Sequence, residues 1–207
     1  MNFIKMIKFS TLQEWLDIQK QEYNELLESM RTIDNINFVV LDKYNKDDHL
    51  LAIRDKVRGK YSHYHNERFH AITINGDTVN VRNPSRNDVR TIVHEIIHFL
   101  DFNNVRYIYP SNIYNINRKL READINFNIN TNVFLDIFDI VGGVDNRNYY
   151  NYLMGLEDVV GRDYISIILR VISRNVHKRP TELRAYIGAE LYCLCIYDNI
   201  NVRDLEF

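Results

Sequence analysis

Glycine and proline are scarce in this chain: seven and three among 207 residues. So few breakers exclude a collagen-like repeat, a disordered Pro/Gly-rich chain and a sandwich of many short strands joined by tight turns. Cysteine is scarcer still. Cys193 and Cys195 stand too close to bridge easily and do not form C-x-x-C, so they read as reduced, buried residues of a reducing compartment. No apolar run approaches the ~20 residues that a membrane helix needs. The first residues, MNFIKMIKFSTLQEW, set lysines among apolar positions and are not expected to be a signal peptide. The formal charge of −2 gives no global attraction to nucleic acid or acidic membranes. The expectation is a cytoplasmic protein, of a cell or of something replicating in one, with neither nucleic acid nor membrane as partner.

What is present is an ordinary globular composition, 45% hydrophobic and 26% charged. A chain of this length can bury roughly 70% of its unfolded surface, so it needs no staples. It is expected to form one domain over residues 1–207. Residues 10–30 repeat apolar side chains (Leu12, Trp15, Leu16, Tyr23, Leu26, Leu27, Met30) at helical spacing. Residues 36–44 are a short β-rich run, and residues 45–58 look helical up to Gly59. The strongest β signal is FHAITINGDTVNVRNP, 69–84, where β-branched residues alternate on both sides of Asn75-Gly76. That dipeptide predicts a two-residue hairpin turn. Ser85 with Asp88 three residues on resembles a capping box, so a helix should start near Arg86. Residues 105–176 read as helical segments with a break at Gly142-Gly143, and Pro180 fits the first position of a last helix. The fold class is therefore α+β: a small twisted sheet with a β-hairpin packed on helices, and a helical C-terminal half.

The predicted helix 86–102 carries TIVHEIIHFLDF. Residues i and i+4 share a helix face, so His94 and His98 project together and can reach one tetrahedral ion. Glu95 stands on the adjacent strip, too far round to be the natural third ligand but well placed to hold a metal-bound water. Zinc lowers the pKa of such a water, and a glutamate can then take its proton as it attacks a carbonyl. Asp101 falls on the histidine face and could orient a ligand histidine, or be a ligand itself. A buried pair of histidines on an aliphatic helix without partners would be costly, which favours a site over a coincidental match.

A catalytic zinc takes three protein ligands and leaves a position open. No histidine follows the motif before residue 110, so the third ligand must lie elsewhere. Glu182, in the first turn of the last helix, is the preferred candidate, because a carboxylate is favoured there by the helix dipole. Ala185 and Ala189 on its face would let that helix approach closely. Tyr186, one turn on, could donate to a developing oxyanion; Arg184 is the weaker choice for that task. Asp101, His177, Glu190 and Glu122 remain competing third ligands. The alternative of a di-iron bundle needs a second E-x-x-H pair. Ile125, Ala185 and Cys193 stand where Glu122, Glu182 and Glu190 would need a histidine, so that reading fails.

With HEIIH at 94–98 and, more loosely, RPTELRAY at 179–186, the chain resembles the zincin metallopeptidases of the gluzincin type, and the small zincin-like domains of phages and mobile elements. The resemblance implies a Zn2+ cofactor, His94, His98 and Glu182 as ligands, Glu95 as base and a peptide or protein substrate. It implies a substrate strand laid along an edge strand before the active helix, here within 69–82, and makes 105–176 a helical insert. Where the best-known gluzincins have a polar residue three after the ligand glutamate, this chain has Ala185, so Asp101 would take its supporting role. The expected function is a zinc metallopeptidase, a hydrolase. The rival is a non-catalytic interaction protein on a zincin scaffold, binding a host or partner protein. Two other features are read as carrying no chemistry: His63, His65 and His70 as solvated loop histidines, and Tyr149, Tyr150 and Tyr152 as packing.

Overall fold

The computed structural model describes residues 12–34, 36–41, 58–64, 69–103, 105, 107–143, 149–173 and 180–205. Three strands make one mixed sheet: β1 (Ile36–Leu41), β2 (Gly59–Tyr64) and β3 (Phe69–Asn75). Their order is β1-β3-β2, with β3 parallel to β1 and antiparallel to β2. β3 is central because it can be covered on both faces: Ala71, Ile72, Thr73 and Ile74 are buried in succession. Around the sheet stand α1 (Leu12–Asp34), α2 (Arg86–Phe102), α3 (Pro110–Glu122), α4 (Thr131–Gly143), α5 (Tyr149–Gly155), α6 (Glu157–Val160), α7 (Arg162–Ser173) and α8 (Pro180–Tyr197). A short 3-10 helix, Val202–Leu205, follows. The fold is α+β with a helical C-terminal half, and Gly142-Gly143 closes α4. Among the described residues no helix is long and apolar enough to cross a membrane. On α1, Leu16 and Tyr23 of the expected apolar stripe are exposed.

Two sequence expectations about the strands are corrected. Residues 59–64 form a strand, whereas the helix expected over 45–58 falls almost wholly outside the described residues. The hairpin lies between β2 and β3, not across Asn75-Gly76. Asn75 instead turns the chain out of the sheet. Its carbonyl accepts the Thr78 and Val79 amides (3.1 and 2.9 Å), and its side chain accepts the Asp77 amide (3.1 Å). Asn80 repeats the device on the Arg82 and Asn83 amides, so no second strand forms before Pro84. The local turn signal was real, but β1 and β2 already occupy both edges of β3.

α2 begins as expected. The Asp88 carboxylate accepts the Ser85 amide (2.9 Å) and hydroxyl (2.7 Å), capping the first turn. Its apolar sides, Val89, Ile92, Val93, Ile96, Ile97, Phe99 and Leu100, are all buried. One core joins them to Ile36, Phe38, Ile72 and Ile74 of the sheet, to Ile113, Ile116 and Leu120 of α3 and to Ala185, Ala189 and Tyr192 of α8. A second core unites Ile137, Val141, Leu153, Ile165, Ile187, Leu191 and Leu194 from α4 to α8. α8 serves both, which is why it is apolar on nearly every side. It runs antiparallel to α2: Arg184 meets Asp101, and Glu190 meets Arg90. Gly188 marks a close approach, where a Cβ would lie 2.6 Å from Ile97 Cδ1.

Candidate metal centre

The i, i+4 spacing on α2 brings His94 and His98 edge to face, ring centroids 4.5 Å apart. The first turn of α8 delivers Glu182 to both. Its Oε2 lies 3.6 Å from His94 Nε2 and 3.4 Å from His98 Nε2. One ligand atom from each of the three side chains falls within 4.8 Å of the others. Metal–ligand bonds of 2.0–2.1 Å in a tetrahedron would set ligand atoms about 3.3–3.4 Å apart. The two separations from Glu182 Oε2 are close to that edge and longer than a good hydrogen bond, and with the three ligand atoms within 4.8 Å of one another a small closing of the side chains would seat a zinc-sized cation. Two imidazoles and a carboxylate are also a donor set that zinc accepts.

The electrostatics are those of a coupled cluster. The close approach and charge of His94 and His98 hold the Glu182 carboxyl far below its ordinary range, against the effect of burial. At His98 burial lowers the pKa, but Glu182, Glu95 and Asp101 together raise it above its usual value. Glu95 is 7% exposed. Burial pushes its carboxyl up, partly offset by the two histidines and by the amide of Tyr61, which donates to Oε2 at 2.7 Å. Tyr186 lies one turn after Glu182 with its ring 4.6 Å from that of His94. Burial and the Glu182 charge raise its phenol pKa, so the O–H remains a donor near neutral pH.

The remaining candidates are placed elsewhere. Asp101 does not orient a histidine: neither of its oxygens accepts a hydrogen bond among the described residues. It forms an ion pair with Arg184, Oδ1 to Nη1 3.0 Å, not aligned as a hydrogen bond. Arg184 spans the α2–α8 interface and lies over the Phe138 ring at 4.7 Å, which turns it from any oxyanion. Glu190 belongs to a separate network with Arg90 (2.9 Å), Arg86 (3.5 Å) and the Tyr164 hydroxyl. Glu122 pairs with Arg118 and Lys119 on α3. His177 and His65 lie outside the described residues. His70 is a buried residue of β3, not a solvated loop histidine, with Nδ1 2.8 Å from the Tyr61 hydroxyl. His63 pairs with it in β2.

Sequence reasoning missed β2 and its place in the centre. β2 runs beside the stripe Asp88, Thr91, Glu95, Phe99 and Phe102 of α2. Arg58 contacts Asp88 and Thr91, the Tyr61 amide contacts Glu95, and the Tyr61 ring meets Phe99 and Phe102. The aromatic residues of KYSHY, which favour strands, were the available signal. The edge strand beside α2 is thus 59–64, and the 69–82 expectation fails because β3 is flanked on both sides and 76–82 is not a strand. Compared with family models, curated proteins and solved structures, the chain finds no match.

Proposed function

We propose that this chain is a zincin-like, gluzincin-type zinc metallopeptidase that hydrolyses a peptide bond. The observation that carries the reading is Glu182 Oε2 lying near tetrahedral-edge distance from both histidine Nε2 atoms, with Glu95 next to His94 on the same helix. A zinc ion held by His94, His98 and Glu182 would supply Lewis acidity to water and to a carbonyl oxygen. Glu95 takes a proton from the water as its oxygen attacks the carbonyl carbon. The same carboxyl then gives that proton to the amine nitrogen as the C–N bond breaks. Tyr186 offers its O–H to the carbonyl oxygen as negative charge grows there. An extended substrate would lie beside β2, whose outer edge carries no strand among the described residues, and would pair there with backbone groups other than the Tyr61 amide, which Glu95 holds.

The test is zinc content and peptide-library cleavage by the wild type and by Glu95→Gln. Stoichiometric zinc in both, with cleavage lost in the variant, is the expected result; removing a general base costs about 100- to 10,000-fold. Zinc-free protein, or cleavage indifferent to the substitution, would refute the reading. Zinc in both with cleavage in neither would leave the non-catalytic scaffold.

A further inference from the structure

The base needs more than a position on α2, because a glutamate side chain has three rotatable bonds. We propose that Gly59 and the backbone amide of Tyr61 orient Glu95, which makes Gly59 a positioning residue of the centre. The inference rests on the reading of Glu95 as the base.

Three contacts at the start of β2 converge on one line of α2. Arg58 Nη2 reaches Asp88 Oδ1 at 2.5 Å, and Arg58 Nε donates to Thr91 Oγ1 at 3.3 Å. The Arg58 carbonyl is held in turn by the Asn75 amide at 2.9 Å, so the anchor is tied to the end of β3. Further along β2 the Tyr61 amide donates to Glu95 Oε2 at 2.7 Å. Amides alternate along a strand, so that of Tyr61 points off the sheet edge while those of Lys60 and Ser62 face β3. A backbone donor fixed by sheet register holds one carboxylate oxygen, and Oε1 accepts no hydrogen bond among the described residues.

Gly59 makes this approach possible. A Cβ there would stand 3.0 Å from Glu95 Cγ, 3.0 Å from Thr91 Cγ2 and 3.3 Å from Glu95 Oε1. Its backbone is not among the left-handed glycines, of which Gly161 is the one described, so what Gly59 supplies is room. Thr91 and Glu95 flank the added methyl together, so α2 and β2 cannot relieve the crowding by moving one side chain. Gly59→Ala must therefore displace the Glu95 and Thr91 side chains by a few tenths of an ångström relative to β2, at the carboxylate itself, while the metal ligands of α2 and α8 lie outside the contact.

The experiment combines amide hydrogen exchange with zinc titration and turnover. In the wild type the Tyr61 amide should be protected although it faces away from β3. Glu95→Ala and Gly59→Ala should each speed its exchange by about tenfold or more, as expected on losing a charged acceptor, with Lys60 and Ser62 unchanged. Zinc affinity of Gly59→Ala should stay within about threefold of wild type, below the roughly tenfold cost of disturbing a metal's outer partners. On a cleaved peptide, kcat should fall while KM holds. Tyr61 exchange indifferent to Glu95→Ala overturns the proposal, as does Gly59→Ala behaving as wild type in exchange and turnover, or losing zinc in step with turnover. If the wild type cleaves no peptide, the peptidase reading fails, and the Tyr61 exchange still decides whether the strand holds Glu95.

Discussion

Replacing Asp101 by asparagine should change the pH dependence of stability in a definite direction. The Asp101 side chain is 4% exposed, and neither oxygen accepts a hydrogen bond among the described residues. Burial pushes its carboxyl up to about 6, and the charges of Arg184 and His98 offset only part of that. Relative to the ordinary aspartate value this is about two pH units, or roughly 3 kcal/mol at most. Between about pH 4 and pH 6 the folded state keeps a proton that the unfolded chain releases. The stability that this group contributes is therefore complete below about pH 4, is lost as pH rises through about 6, and is flat above. The asparagine side chain does not titrate. In chelator-treated protein, Asp101→Asn should gain on the wild type by up to roughly 3 kcal/mol between pH 4 and pH 8, which is about 6–12 °C in Tm for a chain of this size. The Arg184 attraction is already contained in the value of about 6, because it is lost equally when Asp101 is protonated, so the slope of the difference with pH is the readout. Parallel Tm curves, or a variant that falls behind as pH rises, would refute the reasoning.

Glu182→Ala should lower zinc affinity by at least about 100-fold, more than the 10- to 100-fold typical of outer-shell changes, while leaving the fold intact; isothermal titration measures it, and unchanged affinity would refute Glu182 as ligand. Gly188→Ala places a methyl 2.6 Å from the Cδ1 end of buried Ile97; overpacking of about 1–3 kcal/mol, offset by about 1 kcal/mol of helix propensity, should leave a net Tm drop of up to roughly 8 °C. A Tm clearly above wild type would show that α2 and α8 are not pressed together there.

The parts of the centre that could be read directly are those fixed within one helix. His94, Glu95 and His98 need only the helical period to take their places, and Ser85-x-x-Asp88 announces where that helix starts. Pro180 announces α8 by the same local rule. Gly59 was legible only as a helix end, because its role depends on the Glu95 and Thr91 side chains of another element. Asp101 shares the histidine face as its spacing requires, yet its partner is Arg184 across the interface. An ion pair between two helices so far apart in the chain leaves no periodic trace.

Strand pairing shows the same limit more sharply. Asn75-Gly76 is a strong turn signal and a turn does form, but its direction was decided by β1 and β2 already flanking β3. By itself the sequence determined the α+β composition, helix α2 with its cap, and two metal-ligand candidates with a glutamate beside them, because each is set by interactions spanning at most one or two helical turns. Only the tertiary structure decided that Glu182, rather than Asp101, Glu190 or Glu122, meets the histidines, and that β2 lies against Glu95. Both depend on how closely α8 and β2 approach α2, a distance set by side-chain volume at Gly188 and Gly59 rather than by any pattern along the chain.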